Sequence, residues 1–122
     1  MKHSRCKPLG ILLAFALGLW PRFGLAASYA PLDCAKASTA AENTVCKTYA
    51  LGQDEARLAT LFGVLTSLVA MGQRSDIIDK QHQWLSVRNA CGSNVTCLSH
   101  AYQARIDELS QALDTLAKRG PF

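Results

Sequence analysis

Apolar residues return at three- and four-residue steps along most of this chain, a spacing that predicts helices. The steadiest stripe is Leu58, Leu61, Phe62, Leu65, Leu68 and Val69. It marks one face of a helix that begins between Leu51 and Asp54 and ends near Met71, where Gly72 follows. Asp54 and Glu55 would then sit at its positive end, where the helix dipole favours carboxylates. Downstream, Ser75 or Asp76 is placed to cap a helix carrying Ile77, Ile78, Gln81, Trp84, Leu85 and Arg88 towards Cys91. A further helix starts near Val95 and presents Leu98, Tyr102, Ile106, Leu109, Leu113 and Leu116 before Gly120 and Pro121 close it. Upstream, Thr39 followed three residues later by Glu42 fits a capping box, with a helix running on to about Cys46. Alternation of strand length is absent. The pattern therefore predicts an all-α domain of about four helices, the last two an antiparallel hairpin that bends at Gly92, Ser93 and Asn94.

The N-terminus changes what counts as the domain. Lys2, Arg5 and Lys7 precede the uncharged apolar run Leu9 to Trp20, and small residues, Gly24 and Ala26, follow. Basic region, short apolar run and small-residue site make a secretory signal. The run is too short for a bilayer span, which takes roughly 20 residues. Residues 1–26 are read as a signal peptide, cleaved after Ala26 or Ala27, and 27–122 as the helical domain, periplasmic or secreted and without stable membrane insertion. Charge moves with that cut. The 122-residue chain is formally +4, but Lys2, Arg5, Lys7 and Arg22 leave with the signal, and 9 of the 13 basic residues then face 9 acidic ones. A basic surface for nucleic acid is not expected of the exported part.

Cys6 leaves too, so Cys34, Cys46, Cys91 and Cys97 remain, an even number in an oxidising compartment. Three pairings are open. The sequence-local one, Cys34 with Cys46 and Cys91 with Cys97, closes short loops and stabilises by roughly 2–3 kcal/mol per bond. Zinc is the competitor, but the spacings lack the Cys-x-x-Cys knuckles that such sites prefer.

Candidate chemistry is sparse. His82 and His100 do not sit with carboxylates in a helix spacing that suggests a metal site or a catalytic base, no serine lies in a Gly-x-Ser-x-Gly context, and paired thiols are not nucleophiles. Neither a cofactor nor a metal site is expected, and the chain does not read as an enzyme. Folding the hairpin about Asn94 sets Trp84 and Leu85 opposite the turn from Tyr102 to Arg105, and Ile78 opposite Leu109. Two readings follow. Trp84 and Tyr102 pack the helices together, with Arg105 over the indole as an internal cation–π contact, or Trp84, Arg88, Tyr102 and Arg105 form an exposed patch that grips a partner, the composition typical of interface hot spots.

The segments Asp33-Cys34-Ala35-Lys36-Ala37-Ser38-Thr39, Glu42, Cys46, Gln81-x-x-Trp84-Leu85-x-x-Arg88-Asn89-x-Cys91 and Cys97-Leu98-x-x-x-Tyr102-x-x-Arg105-Ile106-x-x-Leu109 together resemble the lysozyme inhibitor LprI-like N-terminal domain family. The likeness covers essentially the whole chain after the signal. It implies a small exported bacterial domain and a lysozyme inhibitor that acts by protein–protein binding. Phe62 stands where the family tends to have tyrosine, which keeps the ring and removes a hydroxyl. The alternative function is a cell-envelope structural or adaptor module that binds another periplasmic protein or peptidoglycan.

Overall fold

A computed structural model of the chain describes residues 31–120. The signal segment expected at 1–26, its cleavage site and Pro121 lie outside the described residues. Within them the order is a 3₁₀ turn at Cys34–Lys36, then α1 (Ala40–Lys47), α2 (Tyr49–Leu68), α3 (Met71–Ala90) and α4 (Val95–Ala117). The domain is all-α, and no strand occurs among the described residues.

The start of α1 follows from its side chains. Thr39 Oγ1 accepts from the Glu42 N–H at 3.1 Å, and Glu42 Oε2 accepts from the N–H groups of Thr39 at 3.0 Å and Ser38 at 2.9 Å. Three otherwise open donors are thereby satisfied. Cys46, in the last turn, is bonded to Cys34, which ties the lead-in to the helix.

Only Thr48 separates α1 from α2, so α2 begins earlier than its apolar stripe suggests. The Gly52 N–H donates to the Thr48 carbonyl at 3.0 Å and Leu51 is buried, which continues the helix through Gly52 instead of breaking there. As a result Asp54 and Glu55 do not stand in the first turn, and the expected dipole role passes to neither. Asp54 accepts from Gln103 of α4 at 2.8 Å, while Glu55 turns inward.

The α2–α3 connection also departs from expectation. Val69 and Ala70 are both extended, so the break precedes Met71, and Gly72 lies in the first turn of α3. Burial of the Val69 side chain at the corner outweighs glycine's weak preference against helix. Ala70, not Ser75 or Asp76, is the N-cap, and no side chain caps α3. Ser75 Oγ instead donates back to the Met71 carbonyl at 3.2 Å. Leu68, assigned to the apolar stripe, is left 42% exposed by the same break.

The hairpin forms as its sequence indicates. Asn94 Oδ1 accepts from the Cys97 N–H at 3.0 Å as the N-cap of α4, Gly92 takes φ +55°, and Cys91 and Cys97 close the bend. A glycine meets that φ without the steric cost other residues incur. Both disulfides are thus the sequence-local pair.

Helix α4 is the centre. It packs most extensively on α2, and also on α3 and α1, while α1 bridges α2 and α3. Polar contacts give the directions. Asp54 and Glu55 meet Gln103 and Tyr102, and Leu65 further along α2 lies by Ala112 and Leu116, so α2 and α4 run parallel. Gln81 meets Arg105 and Trp84 meets Ala101, so α3 is antiparallel to both. The apolar core is Leu51, Leu58, Phe62 and Leu65 from α2 with Val69 at its end, Trp84 from α3, Leu98, Tyr102, Ile106 and Leu109 from α4, and Ala41 and Val45 from α1.

The Cys91–Cys97 bond closes a loop of few residues, so replacing both cysteines by alanine is expected to lower unfolding free energy by about 2 kcal/mol. Urea unfolding of the double variant checks this, and peptide mapping without reduction should recover only the two local cystines.

Candidate functional site

The four residues singled out for a partner surface are all interior: Trp84 is 8% exposed, Arg88 3%, Tyr102 0% and Arg105 3%. The exposed aromatic and cationic patch is therefore not formed, and the packing alternative describes them. Trp84 and Tyr102 meet edge to face with ring centroids 5.1 Å apart, and the indole N–H donates to the Ala101 carbonyl at 2.9 Å. Arg88, not Arg105, lies over the indole, its guanidinium carbon 5.7 Å from the ring centroid. The reason is position on α3: Trp84 and Arg88 are four residues apart on one face, whereas Arg105 is drawn away by other partners.

Those partners build two polar clusters. In the first, Arg88 Nη2 lies 3.3 Å from Glu42 of α1, its Nη1 lies 4.0 Å from Glu55 of α2, and its Nε and Nη2 donate to Asn89 Oδ1 at 3.1 and 2.9 Å. Glu55 Oε2 accepts from the Tyr102 hydroxyl of α4 at 2.6 Å and Oε1 from the Leu32 N–H at 3.0 Å. In the second, Arg105 donates to Gln81 Oε1 at 3.0 Å, to Glu108 at 2.6 Å and to the Ile77 carbonyl at 3.3 Å. Lys80 also approaches Glu108, at 3.5 Å.

Electrostatics follow from this arrangement. Burial pushes the Tyr102 phenol well above its ordinary range, and the neighbouring Glu55 charge adds to the shift, so it remains a neutral donor. Backbone N–H groups of Ser38 and Thr39 hold the Glu42 carboxyl down to about 2. Burial raises Glu108, but the hydrogen bond and charge of Arg105, with Lys80, leave it lowered overall.

Glu42, Glu55, Gln81, Lys80, Asn89 and Glu108 of these clusters do not stand out in the sequence as site residues. In the sequence Glu42 reads as a cap alone, a role that uses one carboxylate oxygen and leaves the other unaccounted for. Glu55 falls on the stripe of Leu51, Leu58 and Phe62, and Gln81 on that of Trp84 and Arg88, so helix period alone places both inside. Among the described residues, no group of three or more side chains of metal-ligating type converges, and no helix is long and apolar enough to cross a membrane.

A different place offers an open surface. Between the α2–α3 corner and the C-terminal part of α4 lies a groove of about 340 Å³, lined by apolar Leu65, Val69, Ile77 and Leu116 and by polar Gln73, Asp76, Gln111 and Arg119. The chain around Val69 also presents Leu68, 42% exposed, and Met71, 79% exposed. An apolar floor with a polar rim is the composition that protein-binding sites favour. Comparison of the chain with models of protein families, with curated proteins and with solved structures found no match.

Removing one partner of a buried charge cluster strands the others. Arg88→Ala is expected to cost about 3–5 kcal/mol and Tyr102→Phe about 1–3 kcal/mol, measured by urea unfolding. A pH dependence follows as well. The Glu42 carboxyl is lowered from 4.5 to about 2 in the folded chain, so its contribution is complete above about pH 4.5 and is lost as pH falls through about 2. After solvent screening it is of the order of 1–2 kcal/mol. Unfolding free energies of the wild type and Glu42→Gln, measured at intervals across that window, should converge towards its acid end.

Proposed function

We propose that this is an exported helical binding protein that docks its α2–α3 corner on another protein, and that lysozyme is the partner. The observation that carries the reading is the open apolar groove beside exposed Leu68 and Met71, set against an interior that has already taken in Trp84, Arg88, Tyr102 and Arg105. Two closed disulfides suit an oxidising compartment, periplasmic or secreted. The cysteine, tryptophan and Tyr-x-x-Arg-Ile pattern supports the lysozyme assignment through its resemblance to the lysozyme inhibitor LprI-like family.

The mode of action follows from rigidity. Ion pairs and hydrogen bonds tie α1, α2, α3 and α4 to one another, so the corner is presented in a fixed shape and little ordering entropy is lost on binding. Inhibition then consists of covering the enzyme's cleft or its approaches. Near-neutral charge after loss of the signal gives little long-range steering towards a basic enzyme, so complex formation depends on the apolar contact.

Titration of the purified mature protein against several lysozyme types, read as residual cell-wall lysis, tests the proposal. Inhibition is expected for at least one type. Leu68→Gln should weaken it about tenfold, equivalent to about 1.4 kcal/mol, whereas Val87→Gln, exposed elsewhere on α3, should not. Absence of inhibition at micromolar excess removes the lysozyme reading and leaves the envelope adaptor.

A further inference from the structure

We infer that Met71 is a modification site, an oxidisable sulfur whose conversion to the sulfoxide weakens the apolar corner without unfolding the domain. The effect on a protein partner rests on the docking reading above; the chemistry of the sulfur does not.

Sulfur in this domain is divided into two kinds. Cys34, Cys46, Cys91 and Cys97 are all consumed in disulfides. Met71 is the one methionine among the described residues, and it is 79% exposed. A thioether in that position meets a dissolved oxidant without any opening of the fold. The two cystines, by contrast, hold no thiol to start the oxidation ladder of cysteine.

Hydrogen peroxide is the oxidant class that fits. The thioether sulfur attacks one peroxide oxygen, an S–O bond forms as the O–O bond breaks, and hydroxide leaves. Sulfur gives up two electrons and the peroxide is reduced. Hydroxide then takes the proton from the S–OH cation, which leaves a neutral sulfoxide and water.

Location gives the reaction a consequence. Met71 opens α3, two residues from Val69 and two from Gln73, both of which line the groove. Oxidation turns a flexible apolar side chain into a polar one at that point. The residue belongs to none of the buried core. Sulfoxide formation therefore acts on the surface and spares the interior, which makes the change compatible with later reduction.

The test uses the mature protein, hydrogen peroxide, and three readouts. Peptide mapping should find one added oxygen on Met71, formed at a rate within about threefold of free methionine in the same solution, as expected for a thioether that is accessible without unfolding. The melting temperature should be unchanged. Binding of a hydrophobic dye to the corner should fall after peroxide in the wild type, be already low in Met71→Gln, and be insensitive to peroxide in Met71→Leu. Protection of Met71 well below the free amino acid, a drop in melting temperature, or an equal loss of dye binding in Met71→Leu overturns the proposal. With lysozyme present, oxidation should weaken inhibition about tenfold in the wild type and not in Met71→Leu. If no lysozyme is inhibited at all, the docking reading fails while the mapping and dye measurements still decide this one.

Discussion

Arg88 carries a full positive charge into an interior where a lone ion would cost several kcal/mol, and the fold supplies Glu42 and Glu55 on either side of it. Each neighbour comes from a different helix. Glu42 belongs to α1, Glu55 to α2 and Arg88 to α3, and Tyr102 of α4 donates to Glu55. A shift of any one helix by a turn would leave charge or hydroxyl unpaired, whereas an all-apolar core of leucines tolerates such slippage far better. The cluster therefore acts less as a source of net stability than as a register pin, holding a parallel α2–α4 pair that apolar packing alone specifies weakly.

Around that pin the disulfides secure two local connections. Cys34–Cys46 ties the 3₁₀ turn to the short helix α1, which at eight residues is marginal by itself. Cys91–Cys97 holds the bend at which α3 turns back as α4. Glu42 belongs to both levels of organisation. One oxygen completes the cap of α1 and the other meets Arg88, so local helix initiation and long-range packing share a single carboxylate.

The proposed docking site is what the interior leaves outside. The aromatic and arginine residues with the composition of an interface hot spot are spent on holding helices together. An apolar opening lies at the opposite end of α2, where Val69 folds under the corner and leaves Leu68 and Met71 exposed. A rigid frame and a small apolar opening suit a protein that works by contact, and they separate the residues that shape the domain from those available to a partner.

Much of this architecture was legible in the chain itself. Thr39 with Glu42, Asn94 ahead of Val95, and cysteines at short spacing act through near neighbours, so the α1 cap, the hairpin and both cystines follow from local chemistry. Helical period also located most of the core. Tertiary structure decided what depends on distant partners: the course of α2 through Gly52, the break at Val69 instead of Gly72, the choice of Arg88 over Arg105 for the indole face, and the pairing of Glu55 with Tyr102 and Arg88. Periodicity says that Trp84, Arg88, Tyr102 and Arg105 share faces of α3 and α4, but Arg88 is stable inside only when Glu42, 46 residues away, is brought to meet it, and only the assembled helices do that.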